Sequence, residues 1–307
     1  MEIVQFVHPG FEYHRAEHVG PASRRSGVMA WKPGRSVHDR KFLLAQGSLV
    51  EWETGREHEA VSLGFWGEWE GPSVFWRISS TGIPLPRIVH APFRPIHRPD
   101  APVQNTDPMV FGDAFIYSNC LQPTYASLRH LSPGSIVLFG RYGRSGGLHS
   151  FSLDTCLVID HQRTLSPIPL QTPGRDLLTD AVLGPLFTEE IEGDLSVYFG
   201  RRRSSEVTTA FSFFSARLAL DMPALFARPE LSPVGALHDR ISPGNMQGIK
   251  LTRDVSPAER DAVWVEVVAQ VADQGCALGY EAGPPPVVDD LTAISASMRP
   301  PRALQSS

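Results

Sequence analysis

Two short segments concentrate the side chains that can do chemistry. Phe65-Trp66-Gly67-Glu68-Trp69-Glu70 alternates tryptophans and carboxylates around one glycine. On an extended strand, Phe65, Gly67 and Trp69 share one face, and Trp66, Glu68 and Glu70 share the other. A tryptophan beside carboxylates suits stacking of a base or capture of a cation. The plainer alternative is a core tryptophan on one side and a solvated face opposite. Gln104-Asn105-Thr106-Asp107-Pro108 is the densest run of short hydrogen-bonding side chains. Amides both donate and accept, so they can read the edge of a base; they also satisfy their own turns. Tyr117-Ser118-Asn119-Cys120 is a similar polar set at a strand end. A nucleophilic Cys120 needs a base, whose position the sequence does not supply.

Metal and phosphate motifs are weaker. His14-Arg15-Ala16-Glu17-His18 has the H-x-x-E-H spacing of inverted zinc peptidases. Pro9-Gly10 and Gly20-Pro21 bracket it closely, so a polar surface turn is the expectation. His38-Asp39 and His238-Asp239 are adjacent pairs, which point apart on most backbones. Cys120, Cys156 and Cys276 form no C-x-x-C pair. The expectation is therefore no metal and no cofactor. There is no G-x-S-x-G elbow and no P-loop. Gly143 to Gly147 is Gly-rich but joins two strands, without the strand-to-helix context of a phosphate cradle. The cations are nearly all arginine, with only Lys32, Lys41 and Lys250 as lysines. A GC-rich genome accounts for that bias. Arg141, Arg144, Arg201, Arg202 and Arg203 are the candidates for phosphate contacts, since the guanidinium fork fits phosphate.

Composition narrows the classes. With 307 residues, 42% hydrophobic and 20% charged, the chain is long enough for a sizeable core. No apolar run approaches the ~20 residues of a membrane helix. Met1 to Gly10 lacks the basic and apolar regions of a signal peptide. Unpaired cysteines fit a reducing cytoplasm. The net charge of −5 argues against a protein that coats nucleic-acid duplexes.

The 27 prolines and 26 glycines cut the chain into short elements, favouring strands over long helices. Strands are expected at Glu2 to His8, Val61 to Trp69, Ser73 to Ser79, Phe115 to Tyr117, Val197 to Phe199 and Val207 to Phe214. Phe42 to Trp52 reads as strand, turn, strand around Gln46-Gly47-Ser48. Ile83 to Pro108 reads as an ordered loop, and Tyr125 to Leu131 as a helical turn. Ser135 to Gly140 and Ser150 to Asp160 form the clearest antiparallel hairpin. One strong helix is predicted over 256–274. Ser256-Pro257-Ala258-Glu259 is a capping box with proline at the first helical position, and Val263, Trp264, Val267, Val268 and Val271 follow at helical spacing. Residues 1–165 are expected to form a β-rich core domain. Residues 166–282 continue it or add a small α+β layer, and 283–307 form a tail.

The run from Leu131 to Gly140, followed by Phe151-Ser152-Leu153-Asp154-Thr155, resembles the end of PUA-like modules. Gln104 to Asp107 and Phe111-Gly112-Asp113 resemble bacterial nucleotide-modification-associated domains of that superfamily. The resemblance covers residues 60–160. It implies an α+β fold with a PUA-like, partly closed β-barrel and a few peripheral helices. It also implies recognition of a nucleotide or modified base, in nucleic-acid modification or defence, with a nucleotide or nucleic acid as partner. In that reading Trp66 and Trp69 stack the base. Gln104, Asn105, Asp107, Tyr117 and Asn119 line the ligand. The alternative is an enzyme on a nucleotide or other glycosidic small molecule, with Glu68, Glu70 or Asp107 as acid or base. A third reading is a structural or partner-binding protein.

Overall fold

The computed structural model describes all residues except 9–10, 13–25, 35–37, 79–86, 97–98, 100, 146–147, 166–175, 189–194, 219–225 and 289–307. The His14 to His18 motif, the proline-rich stretch 167–173 and most of the tail lie outside the described residues.

The strands are β1 (Ile3–Val7), β2 (Phe11–Glu12), β3 (Ser26–Met29), β4 (Asp39–Glu51), β5 (Arg56–Glu68), β6 (Ser73–Ile78), β7 (Arg87–Pro92), β8 (Arg94–Pro95) and β9 (Ile116–Tyr117). Then come β10 (Ile136–Ser145), β11 (Leu148–Leu165), β12 (Leu195–Gly200), β13 (Phe213–Leu218), β14 (Glu230–Leu231), β15 (Gly248–Thr252), β16 (Ala277–Ala282) and β17 (Val287–Val288). The helices are α1 (Gly184–Thr188) and α2 (Pro257–Asp273). The fold is α+β and β-rich. Among the described residues, fifteen strands join one mixed sheet, and β17 pairs with β8 alone. That sheet runs across residue 165, since β11 pairs with β13 and β13 with β5.

Alternation along β1 sets the layers. Val4 and Phe6 enter one core with Leu43, Phe65 and Phe139. Ile3 and Val7 point the other way, into a second core with Val263, Trp264 and Val267 of α2. The period of two puts His8 on the face of Val4 and Phe6, and its ring stacks on Phe6 at 6.0 Å. β1 runs parallel to β10, with Val7 opposite Gly140. The β10–β11 hairpin pairs antiparallel from Ile136↔Val158 to Ser145↔Leu148, as its apolar runs and glycines predict. The helix also forms as its sequence predicts. Ser256 Oγ accepts from the Glu259 amide while the Glu259 side chain accepts from the Ser256 amide.

Four expectations need correction. Phe42 to Trp52 holds no turn: β4 runs straight through, with a bulge beside Gly47. A Cβ on Gly47 would meet the Glu281 carbonyl oxygen at 2.1 Å, so this glycine serves the close approach of β16. The loop expected over Ile83 to Pro108 contains β7, buried between β4 and β6. The strand expected from Val61 starts earlier, at Arg56, and ends at Glu68; it pairs with β4 and β13. The strand expected from Val207 begins only at Phe213. The preceding residues carry Phe211 under α2, where its carbonyl accepts the Trp264 indole N–H at 2.9 Å.

In strand order β1 and β5 stand several strands apart. His8, just past β1, nevertheless lies 3.1 Å from Glu68 at the end of β5. The sheet therefore curls until these two strand ends meet, and that meeting point positions the site. Among the described residues no helix is long and apolar enough to cross a membrane.

Candidate functional site

The β4–β5 register sets Arg40 opposite Glu68. The start of β4 (His38, Asp39, Arg40, Lys41) thus lies against the end of β5 (Glu68, Trp69, Glu70). Gln104 to Asp107 closes over this end: the Glu70 amide donates to Thr106 Oγ1 at 3.1 Å, and the Asp107 amide donates to Glu68 Oε1 at 3.0 Å. The two segments singled out by composition do meet.

Glu68 is the hub. Its Oε1 lies 2.6 Å from His38 Nδ1, and its Oε2 lies 3.1 Å from His8 Nε2. Burial pulls the His38 pKa down, but Glu68, with Glu70 and Asp107 behind it, outweighs burial and raises it to about 9. His8 behaves oppositely: burial, then the nearby Arg40 and His38, hold it well below the ordinary imidazole value. His8 is therefore neutral near pH 7, and its approach to Glu68 is not an ion pair. Buried alternatives of this kind, one imidazole charged and one neutral around one carboxylate, are what acid–base and ligand chemistry use.

Glu70 has a different environment. Lys41 Nζ lies 3.6 Å and Lys32 Nζ 3.8 Å from its carboxylate. Burial alone would raise its pKa, but the two lysines and His38 outweigh that and lower it. Glu70 is thus a fixed anion that anchors the lysines, a poor proton shuttle. Lys41 also donates to the Trp69 carbonyl, and Lys32 pairs with Asp39 at 2.7 Å.

Asp107 clamps the turn after β9. Its oxygens accept the main-chain amides of Ser118 at 2.8 Å, Asn119 at 2.8 Å and Cys120 at 2.6 Å. Burial raises its pKa to about 6 despite those donors, and Glu68 adds to the rise. The clamp holds Cys120 Sγ at 3.5 Å from His8 Nε2. Burial, Asp107 and Glu68 push the Cys120 thiol well above its ordinary value, so it stays protonated at neutral pH. The base that a nucleophilic Cys120 needs is present in His8, but the thiolate is disfavoured. Because three amides point at Asp107, Asp107→Asn turns an amide group with its own protons toward them. An unsatisfied buried donor costs about 1–3 kcal/mol. The urea midpoint is expected to fall accordingly with an unchanged slope; an unmoved midpoint would show the clamp to be dispensable.

Nothing matches it. No protein-family model, no curated protein and no solved structure is similar to the chain.

The other expected site residues divide. Neither tryptophan is available for stacking. Trp69 is fully buried, donates its indole N–H to the Pro72 carbonyl at 2.8 Å and meets Phe111 edge-on at 5.5 Å. Trp66 donates to the Phe226 carbonyl at 2.8 Å and carries the Arg228 guanidinium 4.0 Å above its ring. Their opposite faces, as alternation predicts, enter two different cores; both sides of this strand are covered. Asn105 Nδ2 donates to Ser118 Oγ at 3.2 Å and Asn119 Oδ1 at 2.9 Å, so both amides are held within the protein. Tyr117 is buried with its hydroxyl on the Cys120 carbonyl. Gln104 Oε1 is buried and accepts no hydrogen bond.

Of the arginines, half-buried Arg141 lies near enough to Arg40 to contribute to the lowering of its pKa, after burial and Arg228. Arg144 lies in β10. Arg203 pairs with Glu57 at 2.6 Å. Glu57 precedes Glu68 by eleven positions on β5. At ~3.3 Å per residue that places Arg203 roughly 35 Å along the strand from the cluster. Arg201 and Arg202 adjoin it, so the triple-arginine run is not brought to this site.

His8, Arg40, Lys41 and Asp154 escape sequence reasoning, and His38 enters it only as an adjacent pair with Asp39 that makes a poor chelate. Arg40 pairs with Asp154, which Arg228 Nε also reaches at 2.7 Å. One signal was available: Lys32 and Lys41, two of three lysines in an arginine-dominated chain, both face Glu70. The expectation of no metal rested on local spacing. His8, His38 and Glu68 come from three separate segments, and each offers a ligand atom within 4.8 Å of the others.

Proposed function

We propose that the chain is an enzyme acting on a nucleotide or another glycosidic small molecule, with its reactive centre where Glu68 meets His8 and His38. One observation carries this reading: a carboxylate stands between two imidazoles at a buried strand end, with His38 still 19% exposed as the way in. Groups of this kind are costly to bury together without a task. A module that recognised a flat base by stacking would present an aromatic face, and Trp66 and Trp69 present none. The substrate class is supported by the resemblance of residues 60–160 to nucleotide-modification-associated proteins, not by the nearby cations, since Lys32 and Arg40 are already paired with Asp39 and Asp154. The curl of the sheet agrees with a PUA-like, partly closed barrel, and the three free cysteines agree with a reducing cytoplasm.

A second reading, recognition of a nucleotide or modified base without turnover, is favoured by Gln104. Its buried Oε1 has no partner and would accept from a base edge. The two separate experimentally. A panel of nucleosides, nucleotides and short modified oligonucleotides is incubated with the protein and the products are resolved by mass spectrometry. Time-dependent conversion of one class is the expected result. Binding without conversion, weakened by Gln104→Ala, would replace the enzyme with a recognition module.

A further inference from the structure

We propose that His8, His38 and Glu68 form a binding site for a divalent first-row transition-metal ion, with zinc the best match to the donors. The inference deepens the enzyme reading and shares its location, but binding of the ion is measured without substrate.

The donor geometry points to it. The three ligand atoms lie within 4.8 Å of one another. His8 Nε2 and Glu68 Oε2 are 3.1 Å apart, and Cys120 Sγ lies 3.5 Å from the same nitrogen. Ligands held at ~2.0–2.3 Å around one tetrahedral ion stand about 3.3–3.7 Å from each other. The cluster already has nearly that spacing, with Cys120 or a water beside the fourth position. Only His38 Nδ1, at 2.6 Å from Glu68 Oε1, sits closer than co-ligands do. His38 is the most exposed of the three, so its ring has room to withdraw by the roughly 0.7–1.1 Å that this spacing requires.

An independent observation concerns Glu68. Its Oε2 is buried and accepts no hydrogen bond, and the residue is only 4% exposed. An unpartnered carboxylate oxygen aimed at an imidazole nitrogen is expensive unless a cation lies between them. The other oxygen is held by the Asp107 amide at 3.0 Å, an outer contact that turns Oε2 toward the cluster. Rigid strand ends supply all three donors: His8 follows β1, His38 precedes β4 and Glu68 closes β5. Two imidazoles exclude magnesium and calcium as natural occupants, since those ions take oxygen. Two nitrogens, one carboxylate and a neighbouring sulfur suit zinc; iron(II) shares the two-histidine, one-carboxylate set.

The test uses the full chain, stripped with chelator and dialysed against zinc, iron(II) or cobalt(II). One equivalent of zinc per chain by elemental analysis is expected, and the cobalt form is expected to show the visible absorption of a four-coordinate site. His38→Gln and Glu68→Gln are expected to weaken zinc binding more than ~100-fold, beyond the 10–100-fold loss typical of outer-shell changes. His58→Gln serves as control, because His58 pairs with Glu51 at the far end of the hairpin; it is expected to bind as wild type does. Far-ultraviolet circular dichroism confirms that each variant is folded. Metal below one-tenth of an equivalent in wild type, or binding unchanged in both folded site variants, overturns the proposal. Turnover by a protein that binds no metal on dialysis would leave the enzyme reading standing and remove the ion. One tightly bound equivalent without turnover of any substrate class would do the reverse.

Discussion

Asp154→Ala is expected to lower stability by about 3–5 kcal/mol, the usual result of removing one partner from a buried ion pair. Asp154 is 3% exposed and is reached by both Arg40 and Arg228. Without it two guanidinium groups remain buried side by side. Their mutual repulsion is already visible, because burial first and Arg228 second lower the Arg40 pKa to about 9. The loss is read as a shift in the denaturant midpoint. The triple change Asp154→Leu, Arg40→Met and Arg228→Met is expected to recover much of it, since apolar replacement of a whole buried charge group is often neutral. A single variant as stable as wild type would mean that water reaches these groups in solution.

Val267→Asp is expected to remove most of the folded state at room temperature. Val267 is fully buried on the inner stripe of α2, among Val263, Trp264, Val268 and Val271. Losing a buried valine forfeits roughly 1.5–3 kcal/mol. Burying an unpaired carboxylate adds several kcal/mol more. Together they rival the roughly 5–15 kcal/mol that holds a domain folded. Circular dichroism against temperature checks this. A cooperative transition within a few degrees of wild type would show α2 to be peripheral to the second core.

The elements legible in the sequence were those with local causes. α2 has a capping box and a helical apolar stripe, and the β10–β11 hairpin has two apolar runs around glycines; both need only neighbouring residues to specify them. The bulge at Gly47 and strand β7 were missed because distant strands make them. Gly47 looks like a turn until β16 is laid against it, and β7 lacks alternation because residues 88–92 are buried on both faces. The site was half legible for the same reason. The Glu68, Glu70 and Asp107 carboxylates stand out by local density, and they do converge. His8 carries no local motif and His38 only an adjacent aspartate that points apart from it; the curl of the sheet brings both to Glu68. The tryptophans misled because a large aromatic suits a core as well as a ligand wall, and this sheet is covered on both faces.

Glu68→Gln tests the central claim most directly. Glutamine keeps the volume and an oxygen to accept the Asp107 amide, so the fold is retained, but it can neither carry charge nor exchange a proton as a carboxylate does. Steady-state turnover of the substrate found in the nucleotide panel is measured for wild type and variant at matched thermal stability. A fall in kcat of ~10²–10⁴-fold, the range for loss of a positioned acid or base, is the predicted result. Turnover equal to wild type in a folded Glu68→Gln protein would contradict the assignment of this cluster as the reactive centre.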